Sequence, residues 1–175
     1  MGGSTHTDAL GEVLRMDGRV GLRFVRRYAH PIERVWAAIT ESEHIRAWLP
    51  CDMIGERRAG ADILLPFGAA QVQKYDMAEP AISGRIEVWE PPAVFQWFWG
   101  GDLLRFELTE TDGGTTLRFT TWLEQSDPAL LVATASGYHL CLGELRSLLD
   151  RGRTTPLTEQ DHQVRALEAE YAARV

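Results

Sequence analysis

The segment that most constrains the fold runs from Tyr28 to Pro50, where a strand leads through a proline into two short amphipathic helices. Pro31 suits the first turn of a helix, where no N–H donor is needed. Apolar residues then recur at the i, i+3, i+4, i+7 spacing of one helix face, at Ile32, Val35, Trp36 and Ile39. Ser42 is predicted to cap a second helix that carries Trp48 inward and ends at Pro50. A strand followed by two such helices predicts a helical pair packed on a sheet.

Much of the chain up to residue 123 alternates between apolar and polar residues in short runs, which is the pattern of antiparallel strands. Asp17-Gly18 predicts a tight type I′ turn in an N-terminal hairpin. Five further strands are predicted at Ala61–Phe67, Ile82–Trp89, Val94–Trp99, Leu103–Glu110 and Thr115–Leu123. The longer link over 68–80 is predicted either to form an irregular strand or to lie over an opening.

From Pro128 the apolar period changes from two to 3.6, which predicts one long helix ending near Gly152. Its apolar stripe consists of Tyr138, Cys141, Leu142, Leu145, Leu148 and Leu149. A last helix is predicted after Pro156, with Thr158 and Asp161 as a capping box. Its narrow seam predicts docking on the domain or on a partner subunit, through Leu157, Val164, Leu167 and Tyr171.

These elements predict an α+β helix-grip fold, in which a curved antiparallel sheet of about six or seven strands wraps around a long C-terminal helix. Two short helices follow the first long strand. The predicted organisation is a flexible N-terminus over 1–12, one domain over 13–152, and a helical extension over 153–175. A chain of 175 residues is long enough to bury one substantial core.

Three stretches carry a family likeness: RRYAHPIERVWAAITESEHIRAWLP, ISGRIEVWEPPAVFQWFWGGDLLRFELTETDGGTTLRFTTWL and SGYHLCLGELRSLLD. In their order and spacing they resemble the SRPBCC superfamily, also called START or Bet v 1-like. Within it they are most similar to bacterial proteins related to the activator of the ninety-kilodalton heat-shock-protein ATPase. The resemblance implies the helix-grip fold and, commonly, a cavity for an apolar or aromatic ligand between sheet and helix.

Charge and composition exclude several other classes of protein. A formal charge of -7 with dispersed basic residues argues against a nucleic-acid partner. No apolar run is long enough to span a membrane, and the first twelve residues lack signal-peptide features, so a cytoplasmic protein is expected. Cys51 and Cys141 are far apart, and no two histidines have metal-ligand spacing, so neither a metal nor another cofactor is predicted.

The strand pattern places a wall of aromatic side chains opposite the stripe of the long helix. On one strand this inner face is predicted to carry Ile82, Ile86 and Val88. The predicted cavity lining consists of Trp48, Phe67, Trp97, Trp99, Phe106, Phe119, Tyr138 and Leu142. From the residues alone a filled core is equally consistent, because large rings occupy the volume that a ligand would need.

The sequence therefore predicts a monomer or homodimer that binds or carries a hydrophobic or aromatic small molecule, with no catalytic residue assigned. A polyketide cyclase-like or aromatase-like enzyme is one alternative, and it requires an inward ionisable group. Arg26, Asp52 and Asp102 are instead predicted at the surface or at caps, because inward positions are nearly all hydrocarbon. A buried Arg26 would favour the enzyme. A co-chaperone-like interaction module with a filled core and an exposed apolar patch is the other alternative.

Overall fold

The computed structural model describes residues 8–175. Its strands are β1 (Glu12–Met16), β2 (Arg19–Tyr28), β3 (Asp62–Pro66), β4 (Ala81–Glu90), β5 (Val94–Trp99), β6 (Asp102–Thr111) and β7 (Gly114–Leu123). Its helices are α1 (Ile32–Thr40), α2 (Ser42–Trp48), α3 (Ala69–Lys74), α4 (Pro128–Arg151) and α5 (Asp161–Ala172), with a 3-10 turn at Leu157–Glu159. The strands form one antiparallel sheet in the order β1-β2-β7-β6-β5-β4-β3. The predicted α+β helix-grip fold is confirmed.

The N-terminal hairpin forms because two adjacent residues accept the left-handed backbone conformation. Asp17 has φ 51° and Gly18 has φ 77°, as a type I′ turn requires. The turn pairs Met16 with Arg19 and sets the register of β1 against β2. It also fixes which residues of β2 face the core, since a slip of one residue would turn the strand over.

Helix α4 lies across the concave side of the sheet, and its ends are set by ordinary capping chemistry. The Asp127 carboxylate accepts from the backbone N–H groups of Ala129 at 2.8 Å and Leu130 at 3.2 Å. Gly152, with φ 71°, terminates the helix and donates to the Leu148 carbonyl. The buried face of α4 consists of Leu131, Ala135, Ser136, Tyr138, Cys141, Leu142, Leu145 and Leu149. Within residues 8–175, no helix is long and apolar enough to cross a membrane.

Strand β4 departs from simple alternation at a bulge. The register against β5 shifts between Ile86 and Val88, so that Val88 pairs with Gln96 and Trp89 pairs with Phe95. The prediction that Val88 faces inward is therefore wrong. A bulge adds one residue to one strand and exchanges the faces beyond it, and Trp89 takes the inward position that Val88 was expected to fill.

Two predicted caps are also wrong. Helix α2 begins at Ser42 itself, and Glu41 is its N-cap residue, while the Ser42 hydroxyl contacts the Asp52 carboxylate. At the start of α5 the N-cap residue is Gln160, whose side chain makes no capping hydrogen bond with the described residues. Asp161 forms an ion pair with Lys74 instead. In both cases a charged group from a neighbouring segment, the Asp52 carboxylate or the Lys74 ammonium, offers a stronger, charge-assisted interaction than the local cap.

The link over 68–80 forms the short helix α3, so the alternative of an irregular strand is wrong. Helix α3 buries none of its residues. Its Lys74 ammonium donates to the Thr158 carbonyl at 2.6 Å and pairs with Asp161. The link is therefore held across the opening of the sheet by contacts with the C-terminal segment.

Helix α5 packs against α4 within the same chain. Tyr171 is fully buried, and its hydroxyl accepts from the Gly11 N–H at 2.7 Å and lies 2.9 Å from His139 Nδ1. This single hydroxyl joins the segment before β1, the middle of α4 and the end of α5. Residues 1–7 of the predicted flexible N-terminus lie outside the described residues.

Candidate functional site

A row of aromatic rings crosses the concave face of the sheet and forms part of the hydrophobic core. Strand pairing aligns five rings side by side, namely Trp89, Phe95, Phe106, Phe119 and Phe24. Successive ring centroids are 5.4, 6.4, 4.6 and 6.0 Å apart, which is the range of favourable aromatic contacts. This part of the space between sheet and helix is filled by side chains.

Five of the eight residues predicted to line a cavity lie in this filled region. Each has at most 1% of its surface exposed: Trp48, Trp97, Phe106, Phe119 and Leu142. The Trp48 indole donates to the Ala38 carbonyl at 2.9 Å, and its ring meets Phe106 edge-on at 6.1 Å. These five side chains belong to the core and are absent from the walls of the cavities described next. Their role in ligand binding stays a prediction.

Beyond the aromatic row, where β5 turns into β6, the concave face opens into a cavity of about 500 Å³. We call it the α4 cavity, because α4 forms one wall. Its walls consist of Pro50, Gln71, Tyr75, Ile82, Trp99, Asp102, Ala133, Thr134, Gly137, Tyr138, Leu140, Cys141, Leu157, Val164 and Glu168. Two of the predicted residues, Trp99 and Tyr138, lie here. The volume is within the range of small-molecule sites.

Phe67, the remaining predicted residue, lines a neighbouring cavity of about 450 Å³ under α2 and α3. Pro50, Gln71 and Leu157 border both cavities and so form the partition between them. The Phe67 and Trp99 rings are 6.0 Å apart, one on each side of this boundary. The structure thus brings Phe67, Trp99 and Tyr138 to one end of the fold and leaves the other five predicted residues in the core.

Gly137 explains part of the open volume of the α4 cavity. It lies in the middle of α4, where glycine costs about 1 kcal/mol of helix stability relative to alanine. A Cβ atom placed on Gly137 would meet nothing within 4 Å. The residue lines the cavity, so the missing side chain leaves space that a larger residue would fill. A glycine inside an otherwise regular helical stripe was a signal available in the sequence, and sequence reasoning missed it.

The end of the α4 cavity nearest the sheet is polar. Asp102 begins β6, and its Oδ1 accepts from the Glu124 N–H at 2.8 Å. Burial raises the pKa of Asp102, and this outweighs the opposing effect of that hydrogen bond. Tyr138 is 8% exposed, and burial raises the pKa of its hydroxyl well above 10, so the phenol is neutral at physiological pH. Asp102 thus accepts a backbone hydrogen bond from the residue after β7 and is also an inward ionisable group on the cavity wall.

A second inward charge lies away from the cavities. Arg26 is only 2% exposed, so the prediction that it lies at the surface or at a cap is wrong. Its Nε is 3.6 Å from Asp8 Oδ2, and Arg146 donates to Asp8 Oδ1 at 3.0 Å. The buried charge is tolerated because this carboxylate pairs with it. Burial, and next the charge of Arg26, lower the pKa of His139 to about 4.

Arg26 does not line either cavity. Its burial, which was expected to favour an enzymatic function, belongs instead to a packing cluster with Phe24, Asp8 and Arg146. Among residues 8–175, no group of three His, Cys, Asp or Glu side chains is arranged to hold a metal ion.

A third depression, the outer groove, lies between α1 and residues 53–57 on the outside of the molecule. It has a volume of about 700 Å³ and includes Trp36 and Trp89, whose rings are 5.1 Å apart. It is separated from the α4 cavity by the aromatic row, because Trp89 is the outermost ring of that row.

Solved structures share this fold over nearly the whole chain. CalU16 from Micromonospora echinospora is 21% identical, with a TM-score of 0.66 and 94% of each chain covered. A conserved protein of unknown function from Enterococcus faecalis, EF2215, is 13% identical, with a TM-score of 0.75, covering 94% of this chain and 89% of its own. The protein encoded by BPP1335 of Bordetella parapertussis is 26% identical, with a TM-score of 0.67 and coverages of 94% and 91%.

No curated protein matches the sequence significantly. The family described as "Activator of Hsp90 ATPase homolog 1-like protein" matches residues 29–150, which is most of the chain and includes every strand from β3 to β7, α1 to α3 and nearly all of α4. The chain therefore belongs to this family.

Proposed function

We propose that the protein binds or carries a small hydrophobic or aromatic molecule in the α4 cavity. The observation that carries the proposal is a cavity of about 500 Å³ whose walls are largely apolar and aromatic and which the fold keeps open at Gly137. Small-molecule sites are typically concave, mostly apolar and furnished with a few polar groups. The fold to which the family belongs commonly binds hydrophobic ligands, which supports the same conclusion.

The entrance of this cavity is covered by segments that are weakly held. Gln71 and Tyr75 border it from α3 and the residue after it, and Leu157 borders it from the 3-10 turn. The bonds from Lys74 to Thr158 and Asp161 connect these two covering segments, and both are exposed to solvent. Exposed ion pairs contribute little to stability. Ligand entry past α3 therefore requires the loss of few buried contacts.

A thermal-shift panel of uncharged aromatic compounds, flavonoids, fatty acids and sterols tests the proposal. A ligand at about one hundred times its Kd stabilises the protein by about 2.7 kcal/mol. For a domain of this size that is an increase in Tm of roughly 5–11 °C. A selective increase within one chemical class supports the proposal, and no increase for any class, with a cooperative transition still present, contradicts it.

Gly137 and Gly143 offer a matched pair of variants for the same panel. Both glycines lie within α4, and a Cβ at either would meet nothing within 4 Å, but only Gly137 lines the cavity. Gly137→Leu should fill the cavity and abolish the ligand-induced increase in Tm. Gly143→Leu should leave that increase unchanged. Equal increases in both variants would show that the ligand binds elsewhere.

An enzymatic function has one observation in its favour, which is the inward carboxyl of Asp102 with its raised pKa beside the neutral Tyr138 phenol. A group of this kind can transfer a proton to or from a bound molecule. Incubation of each ligand from the panel with the protein, followed by mass spectrometry, distinguishes the two functions. Quantitative recovery of the unchanged ligand supports binding or carriage, and a product that is lost in Asp102→Asn would indicate catalysis.

A further inference from the structure

Two cavities meet at one end of the fold and share part of their walls. The α4 cavity has a volume of about 500 Å³, and the cavity under α2 and α3, which we call the α3 cavity, has a volume of about 450 Å³. Each is in the lower half of the range of small-molecule sites, which is roughly 300–1,000 Å³. Pro50, Gln71 and Leu157 line both cavities. Only this partition separates the two volumes, so they are arranged as two lobes of a larger space.

The partition has one fixed and two weakly held members. The Pro50 carbonyl accepts from the Gly68 N–H at 3.1 Å, which fixes the chain after α2. Gln71 is in α3, which buries none of its residues, and Leu157 begins the 3-10 turn. These two elements are tied to each other by the solvent-exposed bonds of Lys74 with the C-terminal segment. Displacement of Gln71 and Leu157 therefore breaks few buried contacts.

Two aromatic rings bridge the boundary between the cavities. Phe67 lines the α3 cavity and Trp99 lines the α4 cavity. Their ring centroids are 6.0 Å apart with an angle of 33° between the planes, and both side chains are half-buried. Neighbouring rings at this distance offer a stacking surface in each cavity. Two ring systems of one ligand could thus contact both at once.

The charges on the walls favour an uncharged ligand. In the α3 cavity the charged wall residues are Arg46 and Asp52, which form an ion pair at 3.7 Å. In the α4 cavity they are Asp102 and Glu168. The described wall residues therefore offer no cation that lacks a carboxylate partner. An anion that left water for either cavity would gain no compensating charge.

We propose that the two cavities are lobes of one binding site, and that this site takes an uncharged, elongated molecule with two ring systems joined by a short linker. One ring system would lie in each lobe, and the linker would pass between Gln71 and Leu157 on one side and the Phe67 and Trp99 rings on the other. This proposal rests on the proposed function and makes it specific, because it adds the α3 cavity to the site and names the shape of the ligand.

A two-ring phenol and its half-molecule test the proposal. The probes are 1,2-bis(4-hydroxyphenyl)ethane and 4-ethylphenol, both uncharged at neutral pH. Linkage of two weakly binding groups raises the affinity by about 10²-fold to 10⁴-fold when both groups can bind at once. We expect the two-ring phenol to bind at least about 100-fold tighter than 4-ethylphenol, with one molecule per protein.

Nitrogen-proton correlation spectra locate the two rings. The Trp99 indole signal reports on the α4 cavity, and the backbone amide signal of Gly68 reports on the α3 cavity. Titration with the two-ring phenol should shift both signals with one common Kd. A shift of the Trp99 signal alone would show that the second ring does not reach the α3 cavity, and it would overturn the proposal.

Leucine substitutions fill one lobe at a time. Gly68 lines the α3 cavity, its φ of -62° suits any residue, and a Cβ there would meet nothing within 4 Å. Gly68→Leu and Gly137→Leu should each bring the affinity for the two-ring phenol to within about fivefold of that for 4-ethylphenol, since only one ring can then bind. Gly143→Leu, at a position that lines neither cavity, should keep the full difference. Melting curves confirm that each variant is folded.

The outcomes separate this proposal from the proposed function. If 4-ethylphenol shifts the Trp99 signal but the two-ring phenol binds less than about threefold tighter, the two-lobe site is wrong and the α4 cavity remains a binding site. Retention of the full difference in Gly68→Leu would also overturn the two-lobe site. Failure of both phenols to bind the folded protein would count against both proposals.

Discussion

Truncation of one ring in the aromatic row should be far more costly than the same change on the outer face of the sheet. Phe106 is 1% exposed and contacts the rings of Phe95, Trp97, Phe119 and Trp48 at centroid distances between 4.6 and 6.5 Å. Phe106→Ala removes these contacts and leaves a cavity in a closely packed region. Such changes cost about 3–5 kcal/mol, which for a domain of this size is a decrease in Tm of roughly 6–20 °C.

Phe98→Ala is the matched control, because the side chain of Phe98 lies on the opposite face of the adjacent strand and is only partly buried. Its cost should be about 1 kcal/mol. Urea unfolding, followed by far-ultraviolet circular dichroism, measures both free energies and shows through the slope whether unfolding stays two-state. If the two variants lose equal stability, the row is not closely packed, and the separation between a filled core and an open cavity is wrong.

Three further predictions concern single side chains. Gly137→Ala and Gly143→Ala should each raise the free energy of unfolding by about 0.5–1 kcal/mol, because alanine favours the helix and a Cβ has space at both positions. Urea titrations measure both changes. Destabilisation by Gly137→Ala alone would show that the cavity has no free space at this position. Tyr171→Phe should cost about 1–2 kcal/mol, because the buried Gly11 N–H loses its acceptor; a calorimetric melting curve identical to that of the unmodified protein would contradict this. The pKa of His139 is lowered to about 4 from 6.5, so the unfolded chain takes up the proton first and stability should fall as the pH decreases from about 6.5 to 4. This part of the decrease should be missing in His139→Gln. Equal slopes of the free energy of unfolding against pH for the two proteins would refute the prediction.

Most of the fold could be predicted from local patterns in the sequence. Alternation placed every strand from β3 to β7 within one residue of its observed ends, because side-chain direction along a strand has a strict period of two. The same rule failed after Ile86, where the bulge adds a residue. Pairing with β5 decides that bulge, and no pattern within β4 reveals it.

The wrong prediction for the charged side chain of Arg26 has a different cause. Arg26 lies on the inward side of β2 together with Phe24 and Tyr28, so alternation alone placed it inside. Its charge argued for the surface, and the carboxylate that compensates it, Asp8, which also pairs with Arg146, lies outside the strand. Burial of a charged group depends on such distant partners.

The candidate site could be predicted only in part. Trp99 and Tyr138 were expected at a cavity and line one, whereas Trp97 has the same alternation and lies in the core. Trp97 and Trp99 are two positions apart on β5 and face the same side of the sheet. Whether such a side chain borders a cavity or lies in the core depends on how far α4 and its neighbours fill the concave face. Cavity volume is a small difference between the space that the backbone encloses and the volume of the side chains, so periodicity gives no measure of it.

Nitrogen-proton correlation spectra of the six tryptophan indoles test the central claim most directly. Trp99 lines the α4 cavity, Trp36 and Trp89 line the outer groove, Trp48 and Trp97 are in the core, and Trp122 lies on the opposite face of the sheet. Titration with a ligand identified in the thermal-shift panel should shift the Trp99 signal most and leave the signals of Trp36 and Trp122 in place. Saturable shifts at Trp36 and Trp89 with an unchanged Trp99 would place the ligand in the outer groove and contradict the account.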